Sequence, residues 1–437
     1  MTASTIVALA SGPGPAGVSI IRLSGPNCET VAQRLIGGVP PPRQAKLAKL
    51  RDWSGEPIDN SLVIFFPGPR SFTGEDVLEL HVHGGRAVVR DTIEACLGIS
   101  GVRLAEAGEF SRRAFIHGKM DLTAAEGLAD LVEAETAAQR RQALRQMEGE
   151  LADEVGRWRE AVIDCLADAE GDIDFPDEDL PPGLSERARK RIEELKARLE
   201  GYLVESRRAE RVRNGFQVAI VGKPNAGKSS LINQLVRRDA AIVSAIPGTT
   251  RDIVEVRLIL CGMVVLISDT AGLRESEDLI EAEGVRRARQ RAEEADLRLG
   301  LITDHADKHE FADLIRDGDL WLLGQSDRVD WASPIAGELV VSSVSRQGLD
   351  TLEAIITERA QADLGKSEAA PLTRLRHQEA VRDGIEALER ALTASVHAPE
   401  LVAEDLRLAA RALGRVTGRV DMEDVLDRLF SQFCIGK

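Results

Sequence analysis

The segment Gly222-Lys223-Pro224-Asn225-Ala226-Gly227-Lys228-Ser229 has residue types and spacing that point directly to chemistry. It fits the pattern GxxxxGK[ST], follows the apolar run Val218 to Val221, and precedes a helix-forming stretch from Ser230. Glycines let a backbone wrap a phosphate chain and aim its N–H groups at the oxygens. In such a loop Lys228 supplies positive charge to β- and γ-phosphates, and the Ser229 hydroxyl is placed to ligate Mg²⁺. The bland alternative, an ordinary glycine-rich turn, does not account for the strand before it and the helix after it.

Two further elements follow at matching distances. Gly248-Thr249-Thr250-Arg251-Asp252 offers Thr250 to complete the Mg²⁺ shell and sense a γ-phosphate. Asp269-Thr270-Ala271-Gly272 closes an apolar strand, with a carboxylate for the metal and a Gly272 N–H for the γ-phosphate. Their order predicts a switch-type GTPase. Base reading is altered: where such proteins carry Asn-Lys-x-Asp, this chain has Gly324-Gln325-Ser326-Asp327. Asp327 can still accept the N–H donors of guanine's Watson–Crick edge, so guanine preference with reduced affinity is expected. Ser342-Ser343-Val344 is the candidate for a last base-contacting loop. Leu273 stands where many small G proteins place a water-orienting glutamine, which leaves Asn225 and Glu281 as candidates for hydrolysis. Their bland readings are a turn residue and a solvated helix residue.

These residues need a scaffold. At 437 residues the chain is too long for one core, and 43% hydrophobic with 29% charged residues describes a globular protein. A net charge of −16 excludes a uniformly basic nucleic-acid binder, so RNA would be met at a local patch. Five widely spaced cysteines without a CxxC pair predict neither a disulfide framework nor a zinc site. Met1 to Ala10 has no basic residue ahead of its apolar run, and no stretch approaches the ~20 apolar residues of a membrane span. A cytoplasmic protein without membrane association is expected. Residues 1–118 alternate short β-like runs (Val18 to Leu23, Leu62 to Phe66, Val77 to Val82) with Gly/Pro turns, as in an α+β domain. From 119 to 213 the pattern is helical, with Ile192, Leu195, Leu199 and Leu203 on one face and an acidic, proline-rich loop at Asp172 to Gly183. Residues 214–362 alternate β-branched and helical runs, predicting a parallel sheet with crossover helices. Residues 363–437 are helical again, so the α/β domain reads as an insertion into an all-α domain.

The motifs together identify a family. Arg22-Leu-Ser-Gly25, Phe72-Thr-Gly-Glu-Asp76, His83-Gly-Gly85, Gly108-Glu-Phe-Ser-Arg-Arg-Ala114, Lys119-Met-Asp-Leu122, the GTTRD and DTAGLRE stretches and Phe433-Cys-Ile-Gly-Lys437 run along essentially the whole chain. In all of these it resembles the MnmE (TrmE) family of tRNA modification GTPases. That resemblance implies a tetrahydrofolate-binding N-terminal domain that also forms a homodimer, a helical domain, and an inserted Ras-like G domain. It implies an FAD-dependent partner of the MnmG type, with which an aminomethyl or carboxymethylaminomethyl group is placed on the wobble uridine of certain tRNAs. It also implies hydrolysis activated by K⁺-dependent pairing of G domains.

Carried over residue by residue, the resemblance gives Asn225, Ser244, Ile246 and Thr249 to K⁺, and Ser229 and Thr250 to Mg²⁺. Asn225-Ala226-Gly227-Lys228-Ser229-Ser230, Ser244-Ala245-Ile246-Pro247-Gly248-Thr249-Thr250 and Asp269-Thr270-Ala271-Gly272 go to GTP with Asp327 and Ser342 to Val344. Glu281 orients the attacking water, and K⁺ acts as an arginine finger does. Arg22, Glu79, Lys119 and Lys437 go to the folate, cations suiting an anionic ligand and Glu79 suiting pterin N–H groups. Cys434 is placed near that site, with a chemical role for its thiol as a hypothesis; its bland reading is a core residue beside Phe433. His81 and His83 share a strand face with Glu79, which reads better as a polar strand face than as a metal site. The competing readings are an RNA-associated switch GTPase acting in ribosome assembly, which leaves the N-terminal motifs and FCIGK unexplained, and a folate enzyme with a degenerate G domain.

Overall fold

The computed structural model describes residues 4–174, 186–238, 255–269, 289–331, 334–362, 372–394, 399–419, 429, 430, 433 and 436. The chain divides into two compact units, residues 1–129, 145–196 and 379–437 in one, and 130–144 with 197–378 in the other. The first begins with β1 (Thr5–Leu9), β2 (Ser19–Ser24), α1 (Cys28–Ile36), β3 (Lys46–Arg51), β4 (Pro57–Phe66), β5 (Val77–Val82), α2 (Arg86–Leu97), β6 (Val102–Leu104) and α3 (Glu109–Ile116). Its six strands run in the order β3-β4-β5-β2-β1-β6, antiparallel except for the β1–β6 pair. Strand alternation splits the faces. Leu78, Leu80 and Val82 of β5 join Ile21 and Leu23 of β2 under Val31 and Leu35 of α1 and Ala95 and Cys96 of α2. Burial without a charged partner pushes the Cys96 thiol up to about 12, so it behaves as a core residue. On the opposite face Ile6 and Ala8 meet Phe110 of α3, and Arg22 and Glu79 stand directly across from each other in the β2–β5 register.

Four helices follow, α4 (Leu122–Glu133), α5 (Ala137–Met147), α6 (Glu150–Asp174) and α7 (Glu186–Asn214). In α7, Ile192, Leu195 and Leu199 are buried and Leu203 is half-buried, which matches the predicted stripe. The helix α6 runs to Asp174, three residues (Asp172, Ile173 and Asp174) into the acidic run expected to be loop. The backbone has no reason to stop before Phe175-Pro176, where proline disfavours a helical residue ahead of it.

In the second unit come β7 (Phe216–Val221), α8 (Lys228–Arg238), β8 (Glu255–Leu260), β9 (Met263–Asp269), β10 (Leu297–Ile302), α9 (Lys308–Phe311), β11 (Leu320–Leu323), β12 (Glu338–Val340) and α10 (Leu349–Gln361). The sheet order is β12-β11-β10-β7-β9-β8. Five strands are parallel, and β8 is antiparallel to β9. That edge pair departs from the wholly parallel sheet expected. Cys261 and Gly262, at φ of 46° and 80°, make a two-residue turn that matches strand twist and folds β8 onto β9 as a hairpin. Because β9 and β10 flank β7, the chain switches direction across the sheet there, and such a crevice at the carboxyl ends of strands is where α/β sheets bind ligands.

The last helices are α11 (Leu375–Thr393) and α12 (Pro399–Thr417). Within the first unit, α12 packs along α6. Leu151, Val155, Trp158, Val162, Cys165 and Ala169 form the buried stripe on α6, opposite Val402, Leu406, Ala409, Leu413 and Val416. Beyond α12, Leu429, Phe430 and Phe433 pack on Leu122 and Ala125 of α4. Gly108, at φ 66°, caps α3 so closely under this segment that a Cβ there would lie 2.4 Å from the Phe430 carbonyl oxygen. Gly118 has nearly the same φ, 64°, and open space around it. Gly118→Ala should cost about 1 kcal/mol of left-handed strain and Gly108→Ala about 2 kcal/mol more. Urea unfolding of both variants checks this, and equal losses would mean that the Phe430 contact is not made.

Candidate active site

The loop between β7 and α8 owes its path to three backbone positions. A Cβ on Gly222 would sit 2.3 Å from the Leu301 carbonyl oxygen of β10, so only glycine lets the loop leave the sheet there. Asn225 and Gly227 hold φ of 63° and 103°, values that asparagine and glycine tolerate best. The loop closes around Lys228, which is 5% exposed. Its ammonium donates to the carbonyl oxygens of Gly222 at 2.8 Å and Lys223 at 2.9 Å. Burial lowers the Lys228 pKa below its ordinary value, an effect opposed by the Asp269 carboxylate. Ala226 packs into the core beneath the loop, and Ser229 and Ser230 are exposed at the start of α8.

Asp269 ends β9, paired with Ile220 of β7 in the parallel register. It is 3% exposed; its Oδ2 accepts from the Ser229 hydroxyl at 2.9 Å, and its Oδ1 has no hydrogen-bond partner among the described residues. A buried carboxylate oxygen without a donor, next to a hydroxyl at a phosphate-type loop, is a donor set that suits a hard divalent cation. Mg²⁺ therefore fits the residues present.

The base-reading candidates also converge. Gly324 to Asp327 follow β11, and Ser342 to Val344 follow β12. Ser342 donates to Asp327 Oδ1 at 2.7 Å while its Oγ accepts the Val344 and Ser345 N–H groups, each at 3.1 Å. The Ser342 hydrogen bond holds the Asp327 carboxyl below its usual range, keeping it an anionic acceptor. Gln325, at φ 54°, reaches back to the phosphate loop, its Nε2 3.5 Å from the Asn225 carbonyl oxygen. Two partners of this assembly carry no motif and were missed in the sequence. Lys223 is paired with Asp307 at 2.7 Å and Glu310 at 3.3 Å, and the Trp331 indole donates to the Gly324 carbonyl oxygen at 2.8 Å.

In the first unit, the Arg22 guanidinium meets Glu79 at 2.9 Å and lies 5.4 Å from the Phe72 ring centroid and 6.0 Å from that of Phe110. Glu79 Oε2 is also 3.3 Å from His81, and His83 pairs with Asp59 at 2.8 Å. Lys119 is exposed and lies over Gly74. The surrounding motif residues hold one another: Ser24 bonds Thr73 and Glu75 at 2.6 and 2.7 Å, and Arg113 bonds Glu75 at 2.7 Å. A Cβ on Gly436 would lie 2.1 Å from the Leu9 carbonyl oxygen, so the FCIGK glycine seats against the end of β1. A half-buried guanidinium between two aromatic rings is a setting that suits an anionic heteroaromatic ligand such as a folate. Ser244 to Thr250, Thr270 to Gly272, Glu281, Cys434 and Lys437 lie outside the described residues. A cavity of about 780 Å³ near the start of β7 is lined by Gln139, Arg213 and Arg257. Its arginines pair with Asp130 and Glu135 at 2.9 and 3.0 Å, and none of the phosphate-loop residues lines it.

Comparison with known proteins adds three findings. The profile of the MnmE helical domain matches residues 122–434, and that of the GTP-binding protein TrmE N-terminus matches residues 5–119. The chain is 52% identical to the tRNA modification GTPase MnmE of Maricaulis maris, over 99% of this chain and 100% of that protein. It is 51% identical to the protein of the same name from Rhodospirillum rubrum, over 100% of both. Among solved structures, the G domain of the T. maritima FeoB iron transporter is 23% identical, covering 33% of this chain and 99% of its own, with a TM-score of 0.27.

Lys228 is buried among carbonyls with no counter-charge in hydrogen-bond contact among the described residues, which predicts that its charge serves an anion rather than the resting fold. Lys228→Met should therefore leave the melting temperature of the nucleotide-free protein unchanged or slightly raised, while weakening GTP binding by about 100-fold or more. Calorimetric titration with GTP beside a thermal melt separates the two effects; a collapse in melting temperature would show the ammonium to be structural.

Proposed function

Because the chain belongs to the MnmE (TrmE) family of tRNA modification GTPases, we propose that its GTP hydrolysis serves one modification. This is the addition of an aminomethyl or carboxymethylaminomethyl group to the wobble uridine of certain tRNAs, carried out with an FAD-dependent partner of the MnmG type. That the chain is a GTP hydrolase and a tRNA-modifying enzyme follows from the likeness itself. The observation carrying the nucleotide chemistry is the group formed by Lys228, Ser229 and Asp269 at the end of β7.

In this reading Lys228 exchanges its carbonyl partners for phosphate oxygens. Ser229 and Thr250 would hold Mg²⁺, with Asp269 beside Ser229 available to support it. Mg²⁺ when bound neutralises charge on the β- and γ-phosphates. Asp327 accepts from the guanine edge, and Ser342 to Val344 close over the base. Glu281 orients the attacking water in place of the glutamine that Leu273 replaces. Asn225, Ser244, Ile246 and Thr249 would hold K⁺, which would supply positive charge toward the phosphates as an arginine finger does. K⁺ would drive the pairing of two G domains in a homodimer formed through the N-terminal domain.

Arg22, Glu79, Lys119 and Lys437 bind a tetrahydrofolate derivative in the first unit, with Arg22 and Lys119 toward its anionic groups and Glu79 toward the pterin. The Gly436–Leu9 approach supports this, since it seats the residue before Lys437 at the end of β1, the strand paired with the β2 strand that carries Arg22. Among the described residues no helix is long and apolar enough to cross a membrane; the reading is of a cytoplasmic enzyme acting on tRNA.

GTP hydrolysis in KCl against NaCl at equal ionic strength tests the mechanism. K⁺ should accelerate turnover by about 10-fold or more, and Asn225→Ala should remove the difference. Equal rates in both salts would leave a GTPase but eliminate the K⁺-dependent pairing.

A further inference from the structure

The loop that reads the base lacks the asparagine and lysine that ordinarily fix it, and simple restoration is obstructed. A Cβ at Gly324 would lie 2.9 Å from Leu301 Cδ1 and 3.2 Å from the Ile302 carbonyl oxygen, so a larger residue there needs the Leu301 side chain to shift and the Ile302 carbonyl to give by a few tenths of an ångström. Yet the loop is tied down at both ends by other means. Gln325 adopts a left-handed φ of 54°, which turns its amide toward the phosphate loop, where Nε2 stands 3.5 Å from the Asn225 carbonyl oxygen. The Trp331 indole donates to the Gly324 carbonyl oxygen at 2.8 Å, and its ring meets His305 edge-on at 5.2 Å. His305 belongs to the turn whose Asp307 holds Lys223 of the phosphate loop at 2.7 Å. Base loop and phosphate loop are thus joined twice, through Gln325 directly and through Trp331, His305, Asp307 and Lys223.

We propose that Gln325 and Trp331 are positioning residues for guanine: they hold Asp327 at a fixed distance from the phosphate loop in place of the missing Asn-Lys pair. The inference rests on the reading of Asp327 as the guanine acceptor. A diphosphate or triphosphate anchored at Lys228 puts its base at one distance only, so the carboxylate is useful only if its loop is fixed relative to that anchor. Base contacts persist unchanged from substrate to transition state, so losing the tether weakens binding and leaves the chemical step alone.

The test uses the full chain, with GDP and IDP as probes, IDP lacking the 2-amino group. Trp331→Phe keeps the ring and removes the N–H; Gln325→Met keeps the length and removes the amide. Each should raise the Kd for GDP about five- to tenfold, shrink the preference for GDP over IDP, raise KM for GTP and leave kcat within about twofold. Gln325→Lys, which retains a donor, should bind GDP as the parent protein does. Tight GDP binding in both Trp331→Phe and Gln325→Met, with binding lost in Asp327→Ala, overturns the tether and leaves the Asp327 reading intact. Parent-like binding in Asp327→Ala removes the reading on which the tether rests. A fall in melting temperature and kcat together with affinity would make Trp331 a residue of the fold instead of a positioning residue.

Discussion

The arrangement of the second unit depends on one awkward requirement, an ammonium held out of water without a carboxylate in contact among the described residues. Lys228 is surrounded by carbonyl dipoles of its own loop. Dipoles compensate a charge only partly, and burial accordingly lowers its pKa. The loop must curve tightly enough to present two carbonyls to one nitrogen. That curvature demands Gly222 against the Leu301 carbonyl and left-handed backbone at Asn225 and Gly227. It also requires β7 to sit between β9 and β10, so that Asp269 arrives beside Ser229 and Leu301 forms the loop's floor. A phosphate chain entering this site would offer Lys228 charged partners in place of the carbonyl dipoles.

The first unit places its own charge differently. Arg22 is half-buried, but Glu79 stands opposite it in the β2–β5 register and two aromatic rings lie against it. The motif residues around it are joined by ion pairs, Glu75 with Arg113 and Arg113 with Glu109, and by the Ser24–Glu75 hydrogen bond. Such a network fixes the Phe72 to Asp76 segment by hydrogen bonds in a strand-poor stretch, where packing alone would leave it free. Residues that looked like a binding signature are, in part, the frame that keeps Arg22 in position.

Sequence reasoning located the phosphate loop, Asp269 and Asp327 because each lies at a strand end and carries its chemistry in its own spacing. The stripe on α7 was readable for the same reason, since burial of one helix face leaves a period of 3.6. What escaped were contacts that no motif or spacing marks. Nothing local marks Trp331 as the partner of Gly324, seven residues away, or Asp307 as the partner of Lys223, because each is one polar residue among many. The antiparallel β8 was missed because its hairpin turn is Cys261-Gly262, and a cysteine at a left-handed position is a poor turn signal. The end of α6 was set too early because acidic residues suggested a loop, while only Pro176 forbids the helix.

The altered base loop then has a physical logic that extends beyond the loss of two residues. An asparagine at 324 and a lysine at 325 would fix the loop by side chains that reach across the site. Here the work is divided among an amide and an indole, which engage backbone carbonyls, and a lysine–carboxylate pair. Backbone carbonyls do not change with the nucleotide's phosphate count, so this tethering acts equally on GTP and GDP. Uniform binding of that kind sets affinity without favouring the transition state. In the proposed reading, discrimination between the two nucleotides falls to the phosphate end, to Lys228, Ser229 and Asp269, whose Oδ1 has no partner among the described residues. A weakened hold on the base would then ease product release while leaving the chemical step to that end, a division suited to a GTPase that must cycle.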